Sequence, residues 1–233
     1  AWALQLAARS QPVQAEAVSG SLRAGGRVGR LTWQQDGLRV EADQLVLLWQ
    51  PLALVQRRLV LDRLQAAAVR VTDSRPASTT PLQVPQSLAL PLQVSVASLA
   101  IDALSVRGGS ALEASGITGS YGFDGQRHLG RLQSLRLASG SYTGEASLEA
   151  AAPLALRLRL AGRIDQAVPG SAARLALSLQ AQAEGPLHDF EAALDLRASD
   201  GAVGVDGAPR AQVTAQVMPF AAMPVPREPL PRV

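Results

Sequence analysis

Apolar and polar residues alternate along most of the chain, the period-two pattern of strands with one apolar face. The second half shows it most clearly. Leu154, Leu156, Leu158 and Leu160 alternate with Ala155, Arg157, Arg159 and Ala161. Leu175, Leu177 and Leu179 alternate with Ala176, Ser178 and Gln180, and Phe190, Ala192, Leu194 and Leu196 with Glu191, Ala193, Asp195 and Arg197. Val213, Ala215 and Val217 close the series. Earlier, Ile117 to Phe123 and Tyr142 to Leu148 follow the same rule. Turn signals separate the runs at Asp36-Gly37, Asp124-Gly125, Ser139-Gly140, Pro169-Gly170, Gly185-Pro186 and Asp200-Gly201, several of them dipeptides that tolerate positive φ.

A finer repeat overlies the alternation. Apolar residues recur at offsets 0, 2, 5 and 7, as in Val40, Ala42, Leu45, Leu47 and in Val94, Val96, Leu99, Ile101. The step from 2 to 5 is one residue too long for strict alternation. An inserted residue of this kind is a β-bulge, which keeps the apolar face on one side while the strand bends. Repeated bulges predict a curled sheet.

Two segments depart from strand character. Leu4, Ala7 and Ala8 fall at helical spacing, so residues 1–12 read as the end of a helix stopped at Pro12. Pro51 opens a short helical segment near 51–58, where a missing N–H is harmless. The predicted organisation is a first β-groove unit over 13–75 with that helix inserted, a Pro-rich loop over 76–91, continuing repeats over 92–222, and a Pro-rich stretch over 223–233. Both ends read as cuts through a longer protein.

Composition narrows the choice. Apolar residues are 47% of 233, enough for a sizeable buried surface, yet aromatics are only 3%. Cysteine is absent and histidine occurs only at 128 and 188, so no disulfide framework and no His/Cys metal cluster is expected. All 22 basic residues are arginine and they are scattered, giving a net charge of +3. Nucleic-acid binders carry a basic stripe or stacking aromatics, and neither is visible. No run reaches the roughly 18 apolar residues of a membrane-spanning helix.

A one-faced sheet must cover its apolar side, and two short helical segments cannot cover about a dozen strands. A β-sandwich or closed soluble barrel is the plain reading, but its core usually carries more large aromatics. An outer-membrane barrel needs aromatic girdles. A parallel β-solenoid favours Asn ladders, and this chain has no Asn. The remaining architecture is mainly β: a long curled antiparallel sheet forming an open apolar groove, a half-pipe filled by something other than protein. Acyl chains would suit it, at about 0.8 kcal/mol per buried CH₂.

Local motifs point the same way. Val18-Ser19-Gly20-Ser21-Leu22, Leu31-Thr32-Trp33 and Asp36-Gly37-Leu38-Arg39-Val40 precede Leu48-Trp49-Gln50-Pro51-Leu52-Ala53-Leu54. The series Leu59, Leu61, Leu64, Val69, Val71 follows. In this order, Ala15 to Val71 resembles the amino-terminal part of TamB-type translocation and assembly module proteins. The Trp-x-Pro-x-x-Leu step is its most specific piece, and residues 92–222 fit more loosely. The resemblance implies an AsmA-like, bridge-type lipid transfer protein of the Gram-negative periplasm. It further implies an inner-membrane anchor through an amino-terminal helix not contained here. An outer-membrane partner of the Omp85 type would be met through a carboxy-terminal region likewise absent. Two roles are implied: conducting phospholipid toward the outer membrane, and assembling outer-membrane barrels and autotransporters. A closed structural sandwich without ligand is the alternative of another class.

The candidate groove lining is Leu31, Trp33, Leu38, Val40, Leu45, Leu47, Leu154, Leu156, Leu158, Leu160, Leu175, Leu177, Leu179, Leu194, Leu196, Val213 and Val217, meeting phospholipid acyl chains. No catalytic residue, metal ligand or cofactor is expected. His128 follows a turn and reads as a surface residue. His188, beside Asp189 and Glu191, has no nucleophile or metal spacing to accompany it. Asp36, Asp124 and Asp200 precede glycines and are explained by turn chemistry. Ser19-Gly20-Ser21 and Gly25-Gly26 lack the lysine and the strand-to-helix setting of a phosphate loop. Arg157 and Arg159 should face away from the leucines, and Trp33 and Trp49 should act as packing anchors.

Overall fold

Strand follows strand along the chain, and from β3 onward each pairs with the one before it. The computed structural model describes residues 13–21, 23, 25–75, 85–109, 111–167, 174–198 and 210–217. Thirteen strands form one sheet. They are β1 (Val13–Glu16), β2 (Ser19–Ser21), β3 (Gly25–Gln35), β4 (Leu38–Trp49), β5 (Arg58–Asp73) and β6 (Gln93–Arg107). Then come β7 (Leu112–Phe123), β8 (Arg127–Leu137), β9 (Gly140–Glu149) and β10 (Ala155–Ala167). The last are β11 (Arg174–Pro186), β12 (Phe190–Ala198) and β13 (Arg210–Val217). The order is β1-β3-β4 and so on in sequence to β13. β2 lies on the same edge of β3 as β1, so the two form one broken edge strand. The sheet is long, curled and open, and β1 and β13 lie at opposite edges. The expected helix over 1–12 and the turns at Pro169-Gly170 and Asp200-Gly201 lie outside the described residues.

The predicted turn at Asp36-Gly37 joins β3 to β4, with φ of 49° and 81°. Both residues sit in the left-handed region that Gly and Asp tolerate best. Asp124 starts the β7–β8 turn; its carboxylate accepts from the amides of Gln126 (2.8 Å) and Arg127 (2.7 Å). Two turns differ from expectation. The β8–β9 turn is Ala138-Ser139, and Gly140 already belongs to β9. Gly185-Pro186 ends β11 instead of turning, and the reversal falls on residues 187–189. The segment after Pro51 is a 3₁₀ helix over Pro51–Gln56. Arg57 ends it in the left-handed conformation, its amide bonded to Leu54 O at 3.0 Å.

The bulges are present. At the 42–45 step of β4, Gln44 has a φ of 51° and is left out of the pairing, but Gly29 opposite is left out as well, so this step is a kink across both strands without a register shift. True register shifts fall between Val96 and Leu99 and between Leu132 and Leu135, the long steps of the apolar repeat.

One pairing was not foreseen. β5 and β6 run parallel, whereas every other pair is antiparallel. A parallel pair needs a crossover of a dozen residues or more, and residues 74–92 supply it. β5 ends at Asp73 and β6 begins at Gln93 beside Arg58, so the connection joins opposite ends of β5. Its described part, 85–92, is tied down at one end of the sheet. Ser87 bridges Ala151, and the Leu88 amide donates to Ala150 O at 2.8 Å.

Candidate functional site

Register decides which side chains share a face. Residues directly opposite in neighbouring strands point the same way, so an apolar row can be followed across the sheet. One row runs Leu47, Leu64, Leu99, Gly119, Leu132, Gly144, Leu160, Ala181, Leu194, Val213. The next toward the 51–56 helix runs Trp49, Leu61, Val96, Tyr121, Gly130, Ala146, Leu158, Ala183, Ala192, Ala215. On the other side, Leu31, Ala42, Val69, Leu104, Ala114, Leu137, Gly140, Ile164 and Leu177 make a third. The rows form one apolar face.

The opposite face is polar and its charges pair across strands. Asp43 on β4 is flanked by Arg30 on β3 (2.9 Å) and Arg70 on β5 (2.5 Å). Those two hydrogen bonds hold its carboxyl below the usual carboxylate range. Arg157 and Glu184 pair at 3.0 Å, and Arg131 and Glu145 at 3.7 Å. The sheet's twist leaves shallow depressions on this side. One of about 540 Å³ is lined by Arg131, Gln133, Glu145, Arg159, Gln180 and Gln182 among others. Leu132, Leu160, Ala161 and Ala181 are also part of that lining.

The apolar face has no second layer among the described residues. Its side chains shield one another only in part: Leu156, Leu158, Leu160, Leu177, Leu179 and Leu196 are half-buried. Most fully buried residues are small, such as Ala42, Ala66, Ala114 and Ala183. A sandwich core would bury the large leucines first.

Most of the expected lining falls on this face. Leu31, Trp33, Leu38, Val40, Leu45 and Leu47 occupy it on β3 and β4. Leu156, Leu158, Leu160, Leu177 and Leu179 occupy it on β10 and β11, and Leu194, Leu196, Val213 and Val217 on β12 and β13. Leu194 and Val213 are exposed, at 38% and 57%. The side chain of Leu175 lies outside the described residues. Leu154 is different. It precedes β10, has φ of 59° and is 1% exposed. Its amide donates to Ala151 O and its carbonyl accepts from Leu187, so it packs the end of the sheet and does not line an open face.

That end holds what alternation alone missed. His128 is half-buried on the apolar face, between Phe123 and Leu148, and is not a surface residue. Its ring stacks on Phe123, with centroids 4.5 Å apart. Nε2 lies 2.9 Å from Leu88 O, and Nδ1 lies 2.7 Å from the Tyr121 hydroxyl. A carbonyl only accepts, so Nε2 donates to Leu88 O, and Nδ1 shares a hydrogen bond with the Tyr121 hydroxyl. Burial raises the Tyr121 hydroxyl's pKa. Phe123 and Ala150, each 2% exposed, complete this buried cluster. The sequence held one signal: His128 is four residues before Leu132 in the period-two run. The expectations for Arg157, Arg159, Trp33 and Trp49 agree with their faces, the arginines on the polar side and both tryptophans on the apolar side. His188 lies exposed in the β11–β12 turn.

Among the described residues no group of acidic or histidine side chains is arranged to hold a metal ion, and no helix is long and apolar enough to cross a membrane. The fold and face define a class: an open curled β-sheet with one continuous apolar side. Within that class, residues 1–111 match the TamB N-terminal domain, which supports a TamB-type translocation and assembly module protein, of which this is the amino-terminal part. No curated protein and no solved structure matches the chain. The family works in translocation, assembly or transport in the Gram-negative envelope and is not known for enzymatic chemistry.

Proposed function

We propose that the apolar face is a section of a phospholipid conduit in the periplasm, with acyl chains lying across the leucine rows and headgroups in water along the open side. The observation carrying this reading is the continuity of the rows over strands β4 to β13, with no second layer among the described residues. About a dozen strands at roughly 4.8 Å give a trough of about 60 Å, one section of a path across an envelope. Leu156 and Leu158 stand in its middle. Contacts between alkyl groups are non-directional, so chains can slide without breaking specific bonds. Anchoring to the inner membrane and passage toward the outer membrane belong to the same proposal, as does an Omp85-type partner.

The test is native mass spectrometry with lipid extraction on the chain purified in mild detergent. Near-stoichiometric phospholipid, lost in L156D/L158D, is expected. A clean lipid-free mass from a stable monomer would overturn the conduit.

A second reading has its own observation. β13 is an edge strand whose outer side has no partner among the described residues. Such an edge can accept a nascent barrel strand by β-augmentation, which would make the protein an assembly factor for barrels and autotransporters.

A further inference from the structure

The 3₁₀ helix Pro51–Gln56 projects two apolar side chains into solvent: Leu52 is 82% exposed and Val55 is 84% exposed. Leu54, at 41%, and Leu48, at 38%, extend the patch onto the adjoining strand. Clustered exposed aliphatic side chains at the tip of a hairpin call for a partner.

Charge identifies the partner. The kink at Gln44, where φ is 51° and pairing is interrupted on both sides, divides β3, β4 and β5 into two halves. On the helix side, with the flanking turns, stand Arg23, Arg27, Arg57, Arg58 and Arg63 against a single carboxylate, Asp62. Five cations against one anion leave an excess of four. Asp62 accepts from the Gln50 amide at 2.8 Å. None of these five arginines has an ion pair among the described residues, whereas on the far side Arg30, Arg39, Arg70 and Arg75 all do. The next acid at this end, Asp124, is engaged by the amides of its own turn.

We infer that this hairpin tip is a membrane-surface docking element, with Leu52 and Val55 entering the headgroup boundary of a bilayer and Arg57 and Arg58 meeting anionic phosphates. Exposed aliphatic groups flanked by arginine are what interfacial anchoring needs: apolar area to bury and cations to hold at the charged plane. Guanidinium groups also bind phosphate oxygens in pairs. A protein partner would need acidic groups around an apolar pocket; a bilayer with anionic lipid supplies both over any area. The site is separate from the trough, and the inference does not depend on what the trough carries.

The experiment is co-sedimentation of the 233-residue chain with vesicles of phosphatidylethanolamine and phosphatidylglycerol, and with phosphatidylcholine alone. Binding is expected to the anionic vesicles and to weaken steeply with salt. R57Q/R58Q should lower affinity about fivefold per arginine, and L52D/V55D should abolish binding. All four residues are exposed, so circular dichroism should show unchanged strand content. The trough variant L156D/L158D should still bind, which separates this inference from the conduit. Absence of binding overturns the inference. So does equal binding to both vesicle types, or loss in R57Q/R58Q with L52D/V55D unaffected. Self-association that disappears in L52D/V55D, without vesicle binding, would assign the tip to a second copy of the chain instead.

Discussion

Leu156 and Leu158 have apolar neighbours on both flanking strands, Leu148 and Ala146 on β9 and Gly185 and Ala183 on β11. An aspartate at either position would place a carboxylate on the apolar face without touching the backbone ladder. Lipid occupancy should therefore fall while strand content stays, measurable by native mass spectrometry and circular dichroism. Asp73 gives a prediction of another kind. Its side-chain bond to Arg75 (2.6 Å), then the Arg75 amide, lower its carboxyl pKa from 3.8 to about 2. A carboxylate with a lowered folded pKa stabilises the fold above its unfolded pKa, and that contribution is lost as pH falls through the folded value. The loss should run from about pH 3.8 to about 2. The pair lies at the surface, open to solvent, so the effect is small. Asp73→Asn should flatten the acid-side slope of a denaturation series in that window; an unchanged slope would contradict the assignment.

At the scale of elements, the crossover segment 85–92 is held by few bonds, and one of them joins Leu88 O to His128, whose ring is held in turn by Tyr121. Removing the ring leaves the Leu88 carbonyl and the Tyr121 hydroxyl without partners, at about 1–3 kcal/mol for a buried polar group. His128→Ala should lower the melting temperature and speed limited proteolysis within 85–92; protection equal to that of the parent chain would show the strap to be held otherwise. Leu154 is the fully buried large side chain under the same end. Leu154→Ala should cost about 2–5 kcal/mol by denaturant titration, whereas Leu194→Ala, at an exposed position, should cost far less. Tyr142 illustrates how β9 tolerates its neighbours. A Cβ on Gly140 or Gly162 would collide with its ring, so the aromatic side chain covers two glycines that must stay bare.

For the whole molecule the distinction is between face and edge. A photo-crosslinker at Leu158 samples the apolar rows, and one at Thr214 samples the outermost strand. Capture of acyl chains at 158 with nothing at 214 is the outcome the conduit requires. Capture of strand peptides at 214, with none of lipid at 158, would make assembly the role. The sheet's open ends make this test informative, because a sandwich would present no bare apolar face and a closed barrel neither a bare apolar face nor a free edge.

Periodicity alone determined the β class, the single apolar face, the bulges and the step at Pro51. Each depends on residues close in sequence: side-chain direction alternates strictly along a strand, and one inserted residue shows as a slipped period. The turns at Asp36-Gly37 and Asp124-Gly125 were legible because positive φ restricts which residues can stand there. Tertiary structure decided what depends on distant partners. The parallel β5–β6 pair rests on where the strand after the crossover docks. Leu154 continues the leucine alternation in sequence yet leaves the strand, because Ala151 and Leu187 bind its backbone. His128 follows a polar turn, and only pairing with Phe123 and Leu148 places its ring on the apolar side. The arginines around the 51–56 helix are scattered in sequence. They become a charged tip only when three strands bring them to one end.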